Sequence, residues 1–198
     1  MSKRIFGRFF ALVCVCVLLA GASPALAAPD RGKVKDGVFT SPDGVSFTVP
    51  DGFTLARLEN LNSGFFRVVL EGKRDSHGFS PCIAVEILPG GRDVTKYNAL
   101  DFMSDMVSDT VTWKYDVFSD HTVLQDQLFQ ENGRTLRRMF VASRIQRLGE
   151  TRNCLVRCVC FSTVKSFVRL YYACFGSQQT MIRDLEGLNT LYDTLIVP

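Results

Sequence analysis

Residues 153–175 constrain the fold of this chain most, because they combine a long apolar run with four cysteines. The stretch reads NCLVRCVCFSTVKSFVRLYYACF, and its polar centre predicts a turn at Thr163–Lys165 between two β-strands. Side chains alternate between the two faces of a strand. One face of the first strand therefore carries Cys154, Val156, Cys158 and Cys160. Both strands are apolar on both faces, which predicts a central position in a sheet that is covered on each side.

A three-residue turn at this position fixes the register of the two strands. It places Cys154 directly opposite Cys174, where the Cβ atoms would be about 4.5–5.5 Å apart. A disulfide needs about 3.5–4.5 Å, so this bridge would be strained, and a slip of one residue would remove it.

Three interpretations of the cysteines Cys154, Cys158, Cys160 and Cys174 stay open from the residues alone. They are buried thiols, one disulfide between Cys154 and Cys174, or a metal or redox site. The spacing Cys-x3-Cys-x-Cys matches neither the usual zinc sites nor the Cys-x-x-Cys of redox proteins.

The segment 1–27 has the pattern of a secretory signal peptide. Three basic residues precede an apolar stretch at 9–20, and Ala25-Leu26-Ala27 matches an A-x-A cleavage site. We therefore predict cleavage after Ala27 and export to the periplasm. The apolar stretch is short for a membrane span, so no transmembrane segment is expected after cleavage. Residues 28–36 are predicted to be a flexible lead-in, and residues 37–198 a single α+β domain.

Removal of the predicted signal peptide changes the charge balance. The whole chain has 23 basic and 20 acidic residues, and three of the basic ones lie in the segment 1–27. Balanced charge gives no argument for a nucleic-acid partner, and none is predicted. Five cysteines remain, an odd number that leaves at least one thiol free or in an intermolecular bond.

The rest of the sequence alternates β-prone runs with two amphipathic helices. Asn132-Gly133 is the strongest hairpin signal, and Pro42-Asp43-Gly44 predicts another tight turn. Strands are predicted at 37–41, 45–49, 53–58, 65–70, 82–88, 124–131 and 134–145.

A helix is predicted from an N-cap at Asp93 to about Asp109. Its apolar stripe is Val94, Tyr97, Leu100, Met103, Met106 and Val107, and Asp101, Asp105 and Asp109 form its solvated face. A final helix is predicted after Ser177, with the apolar stripe Met181, Ile182, Leu185, Leu188, Leu191, Tyr192 and Leu195. Hairpins require antiparallel pairing, and helices with a single apolar stripe must cover a sheet. We expect a mostly antiparallel β-sheet with helices on both faces.

Three stretches resemble the PsbP-like family, which includes photosystem II extrinsic subunits and exported bacterial relatives of the DcrB type. They are GVSFTVPDGF at 44–53, QENG at 130–133 between two strands, and the closing helix up to Pro198. Phe53 stands where many members carry Trp. The resemblance implies an α/β/α sandwich that serves as a binding or assembly module, not an enzyme. It carries over no catalytic residues, and the cysteine hairpin lies outside the family pattern.

Candidate chemistry outside the cysteines is sparse. His77 and His121 are interpreted as exposed loop residues, although a Ser-His-Asp or Cys-His site could be assembled around them. The chain lacks a Gly-x-Ser-x-Gly motif. No catalytic residue and no cofactor is predicted.

Arginines are concentrated between residues 134 and 157. Strand alternation gives Arg134, Arg138 and Arg144 the same parity, so these three are the candidate anion-binding face. Cross-strand pairing of Glu131 with Arg134 is the competing explanation.

We therefore expect an exported, non-catalytic module that binds a protein or small ligand of unknown identity in the periplasm. The alternative is a periplasmic thiol protein that uses the 154–174 hairpin for redox chemistry or for a soft metal.

Overall fold

The final hairpin of the chain lies at the centre of the main sheet. A computed structural model describes residues 32–60, 65–108, 116–175 and 188–198. The strands are β1 Lys33–Lys35, β2 Val38–Thr40, β3 Ser46–Thr48, β4 Thr54–Asn60, β5 Phe66–Glu71, β6 Cys82–Pro89, β7 Asp116–Glu131, β8 Arg134–Arg147, β9 Glu150–Ser162 and β10 Ser166–Phe175. Helix α1 spans Ala99–Val107, and residues 188–194 are also helical.

Seven strands form one antiparallel sheet in the order β4-β5-β6-β10-β9-β8-β7. Strand β10 is fourth of the seven and is buried along nearly its whole length. The predictions of a mostly antiparallel sheet and of a central final hairpin are therefore confirmed. Because β6 pairs with β10, the segment that contains α1 carries the chain from the middle of the sheet to its edge at β7.

Strands β1, β2 and β3 form a separate three-stranded sheet. The predicted turn at residues 42–44 joins β2 to β3, and Phe39 stacks on Phe47 with ring centroids 4.9 Å apart. Ser46 and Ile196 exchange backbone hydrogen bonds of 2.8 and 3.2 Å, which tie the end of the chain to β3. Strand β1 lies where the sequence predicted a flexible lead-in, and pairing with β2 orders it.

The turns of the large hairpins use two consecutive residues with positive φ. Asn132 and Gly133 have φ of 52° and 72°, as predicted for an Asn-Gly hairpin turn whose twist matches that of the strands. Leu148 and Gly149 repeat this geometry, with φ of 50° and 87°, between β8 and β9. The sequence did not indicate this second turn, because leucine is an unusual residue in the left-handed region.

The register of the β9–β10 hairpin differs by one residue from the prediction. Ser162 pairs with Phe167 rather than with Ser166, so four residues lie between the last paired positions, not three. Cys154 consequently pairs with Phe175, and Cys174 with Leu155. The predicted disulfide is wrong, because this shift puts the two cysteines on opposite faces of the sheet. All five described cysteines are buried.

Helix α1 begins later than predicted. Asn98 is its N-cap and forms a capping box with Asp101, whereas the proposed cap Asp93 closes a separate turn by accepting from the Thr95 N–H over 3.0 Å. The buried face is Ala99, Phe102, Met103 and Met106, so Leu100 and Val107 of the predicted stripe are exposed. Asp126 on β7 contributes to this start, since its carboxylate accepts from the Ala99 N–H over 2.9 Å.

The two faces of the main sheet carry different core clusters. The first core cluster includes Phe102, Met103 and Met106 of α1. The second core cluster includes Phe39 and Phe47 of the small sheet, and Leu188 and Leu191, which were predicted as apolar positions of the final helix. The predicted signal peptide, Asp109, Ser177, Met181, Ile182 and Leu185 lie outside the described residues. Within the described ranges, neither helix is long and apolar enough to cross a membrane.

Candidate functional site

A groove of about 270 Å³ separates the 188–194 helix from one end of strands β7, β8 and β9. Its lining residues are Glu131, Arg138, Arg157, Val159, Leu188, Asn189, Tyr192 and Asp193. In the antiparallel register, Arg138 lies opposite Val159, and Phe140, two residues further along β8, lies opposite Arg157. Arg138 and Arg157 are therefore diagonal neighbours on adjacent strands. The groove therefore combines two guanidinium groups, two carboxylates and an apolar floor.

Arg138 is held in place by two contacts. One of its terminal nitrogens donates to Glu131 Oε2 over 2.7 Å, and its guanidinium lies over the Phe129 ring, 4.7 Å from the centroid. An ion pair and a cation–π contact together fix the planar group and offset its charge. Arg138 thus forms part of the wall of the groove, and its charge is already matched.

Arg157 differs from Arg138 in having no counter-ion in the part of the chain that the structure describes. Its side chain is half-buried, and among the described residues no carboxylate forms an ion pair with it. Burial lowers the pKa of Arg157, and repulsion by the guanidinium of Arg138 lowers it further. A positive charge that is partly removed from water and lies near a second one costs free energy. An anion in the groove would relieve that cost.

Aromatic rings form the neighbouring surface. Tyr192 meets Phe161 edge to face, with ring centroids 6.4 Å apart, and the Arg134 guanidinium lies 4.5 Å from the Phe161 centroid. Burial raises the pKa of Tyr192, and the Glu131 carboxylate adds to this effect. The hydroxyl of Tyr192 is therefore a neutral donor at physiological pH.

The structure divides the anion-binding face that the sequence indicated. Arg138 lines the groove and Arg134 stacks on the adjacent Phe161, but Arg144 pairs with Asp120 over 3.3 Å. Six residues along a strand separate Arg144 from Arg138 by about 20 Å. The sequence analysis missed Arg157 as a neighbour of Arg138, because it assigned faces by odd and even residue numbers. That rule holds within one strand but not between β8 and β9, where even and odd numbers share a face. The available signal was its position as the only charged residue in the run CLVRCVCF.

A second arginine cluster lies inside the sheet and was also missed. Glu86 on β6 is 2% exposed and is the direct register partner of Arg67 on β5 and of Arg169 on β10. Its two carboxylate oxygens accept from Arg67 Nε over 2.9 Å and from Arg169 Nε over 2.7 Å. A single charge within an otherwise apolar strand, as in CIAVEIL, was the signal in the sequence.

Tyr97 and Asp105 complete this buried network. Arg169 donates to the Tyr97 hydroxyl oxygen over 2.9 Å and to Asp105, and the Tyr97 hydroxyl itself donates to Asp105 over 3.1 Å. Burial lowers the pKa of Arg169, but Glu86 and the other partners outweigh it, and the net shift is upward. Asp105 was expected on a purely solvated helix face; instead it ties α1 to β10. Both arginines of the network are matched by carboxylates.

The cysteines do not assemble into a site. Cys82, Cys154, Cys158 and Cys160 belong to the first core cluster, whereas Cys174 belongs to the second. Burial raises the pKa of Cys82, Cys154 and Cys158, so these thiols stay protonated and weakly nucleophilic. No group of three or more His, Cys, Asp or Glu residues in the described ranges is arranged to hold a metal ion. The described residues therefore do not form the four-cysteine metal site considered from the sequence, and the redox alternative stays a prediction.

His121 lies on strand β7, not in the loop that the sequence indicated. Its Nδ1 is 3.0 Å from Ser143 Oγ, and that hydroxyl donates to the carbonyl oxygen of Ser119 over 2.9 Å. His77 is an exposed turn residue, as predicted, with its Nδ1 3.8 Å from Glu150.

Comparisons with known proteins yield similarities of structure alone. Neither a family model nor a curated protein sequence matches the chain. Cyanobacterial PsbP (CyanoP) from Synechocystis is similar at 12% identity and a TM-score of 0.49, over 89% of this chain and 98% of that one. The Ran-binding protein Mog1p of Saccharomyces cerevisiae has 14% identity and a TM-score of 0.46, over 77% and 89%.

LpqN, described as involved in cell envelope biogenesis of Mycobacterium tuberculosis, is similar at 15% identity and a TM-score of 0.44, over 87% of this chain and 88% of that one. The PsbP-like resemblance noted in the sequence is thus accompanied by a similar solved structure of a PsbP protein. At these identities it transfers no ligand, partner or residue role to this chain.

Proposed function

We propose that this chain is an exported, non-catalytic binding or assembly module, and that its binding site is the groove beside the 188–194 helix. The observation that carries the proposal is Arg157, a half-buried guanidinium that lines the groove without a counter-ion among the described residues. Proteins offset partly buried charges, so a charge without a partner in the unbound protein marks a position for a ligand.

The proposal also includes export of the protein and a main sheet with helices on both faces. The pattern of the segment 1–27 supports cleavage after Ala27 and a periplasmic location. A layer of helix on each face of the main sheet is supported by the placement of Phe102 of α1 in the first core cluster and of Leu191 in the second. Such a sheet would hold β7, β8 and β9 rigidly and so keep the groove open.

The first experiment is native mass spectrometry of the exported protein, purified from the periplasm of its own host. We expect a denatured mass equal to Ala28–Pro198 and a native mass that includes a bound ligand or partner. The variant R157Q should lose this bound species. The variant R144Q should keep the bound species, because Arg144 is an exposed arginine on β8 that lies outside the groove.

Two results would overturn the proposal. One is a bound species that persists in R157Q, because the groove would then not be the binding site. The other is a robust catalytic turnover by the purified protein that a single side-chain change abolishes.

A further inference from the structure

We propose that the groove binds a small monocarboxylate, whose carboxylate accepts hydrogen bonds from the Arg157 guanidinium while its remaining atoms occupy the groove beside Asn189 and Tyr192. This inference rests on the function proposed above and adds the chemical class of the ligand.

The charges that line the groove select one negative charge. Glu131 is committed to Arg138 at 2.7 Å, so the open cation is Arg157. Asp193 is exposed on the 188–194 helix, and no basic residue in the described ranges forms an ion pair with it. A monoanion would match the single open guanidinium, whereas a dianion or polyanion would meet repulsion from Asp193.

The shape of the guanidinium favours a carboxylate. Its planar fork of N–H donors matches the two oxygens of a carboxylate, which gives paired, charge-assisted hydrogen bonds. Glu131 and Phe129 hold the neighbouring Arg138 guanidinium in place. The Glu131 carboxylate is therefore already paired with Arg138 and does not neutralise Arg157. A bound carboxylate would provide the missing negative charge.

The size of the groove favours an organic acid over a bare inorganic ion. A volume of about 270 Å³ corresponds to about nine water molecules at their share of liquid volume. A ligand of about eight to ten non-hydrogen atoms with one acidic head fits this volume.

The test is calorimetric titration of the full chain, exported and purified after removal of any bound species. The probes are 4-methylpentanoate and benzoate, their matched amides, and inorganic phosphate. We expect both carboxylates to bind at least about tenfold more tightly than their amides, because a hydrogen-bonded charge is lost in the amide. R157Q should weaken carboxylate binding by a similar factor, and R157K by less, because lysine keeps the charge but not the fork.

Two further variants provide controls. R144Q should leave carboxylate affinity unchanged, because Arg144 lies outside the groove. D193N should strengthen carboxylate binding, because it removes a negative charge that lines the groove. Circular dichroism and urea unfolding of each variant check that the fold is retained.

Several outcomes would overturn this inference. Equal binding of carboxylates and amides would remove the role of charge, and preferential binding of phosphate would remove the preference for an organic acid. If no probe binds but native mass spectrometry shows a partner that R157Q releases, the monocarboxylate inference fails and the proposed function stands. If R157Q also retains that partner, both fail.

Discussion

Two arginine clusters lie on opposite faces of the same sheet and differ in how their charge is matched. Glu86 alternates along β6 with Val85 and Ile87 of the second core cluster, so the buried network lies on the face of the first core cluster. Arg157 alternates along β9 with cysteines of the first core cluster, so the groove lies on the other face. In the network, carboxylates match both arginines; in the groove, one arginine has no carboxylate among the described residues.

The difference separates a structural role from a binding role. Arg67, Glu86 and Arg169 satisfy one another across three adjacent strands, and any change there leaves an uncompensated charge in the core. Arg157 has already lost part of its hydration without gaining an ion-pair partner among the described residues, so its removal should affect binding more than folding. Variants in the two clusters test this contrast.

The variant E86Q should have the largest effect. Loss of the central carboxylate leaves two buried guanidinium groups without full compensation, and we expect the free energy of unfolding to fall by about 3–5 kcal/mol. Urea unfolding followed by circular dichroism measures this change. The matched control E131Q removes a partly exposed partner of Arg138 and should cost about 1 kcal/mol or less. Similar losses in the two variants would contradict the contrast.

The variant Y97F should lower the free energy of unfolding by about 2 kcal/mol. It removes the hydroxyl that accepts from Arg169 and donates to Asp105, and hydrogen bonds to charged groups contribute about 1.5–3 kcal/mol. Thermal and urea unfolding both report the change. Its counterpart Y192F, in the wall of the groove, should change stability by less than about 0.5 kcal/mol. A larger effect of Y192F than of Y97F would contradict the structural role of the buried network and the binding role of the groove.

Alkaline pH should destabilise the protein through the thiols that share a face with the network. Burial raises the pKa of Cys82, Cys154 and Cys158 in the folded protein. Their contribution to stability is complete below the unfolded pKa of about 8.5 and is lost above it, because only the unfolded chain then releases these protons. Each thiol should contribute about 1.4 kcal/mol per pH unit to this loss.

Urea unfolding between pH 7 and pH 10.5 measures the alkaline effect, and C158A should reduce its slope. In the native protein at pH 8, a thiol reagent should react only at the slow rate of unfolding. A fast-reacting thiol would show that one of these cysteines is exposed and would revive the alternative of a thiol protein.

The variant R157Q should have only a small effect on folding. Because Arg157 has no ion-pair partner in the described ranges, we expect the free energy of unfolding to change by less than about 1 kcal/mol. Urea unfolding checks this, with R169Q as the destabilised comparison. A loss in R157Q as large as that in R169Q would mean that Arg157 holds the fold together, and the groove would lose its distinction from the network.

Local chemistry by itself determined much of the fold. Asn132-Gly133 specified a hairpin because both residues tolerate positive φ, and the apolar runs specified β6, β9 and β10 and the central place of the last hairpin. These features depend on the conformational preferences of a few consecutive residues and on period-two alternation, both of which are present in the chain itself.

The tertiary structure decided what depends on contacts between distant residues. The four-residue loop after β9 shifted the register by one and separated Cys154 from Cys174, and an acceptor on β7, Asp126, contributed to the start of α1. The partners of Glu86 lie 19 and 83 residues away along the chain, and Arg157 meets Arg138 only because β8 and β9 pair. A charge in an apolar strand is visible in the sequence, but whether a partner neutralises it depends on which strands become neighbours.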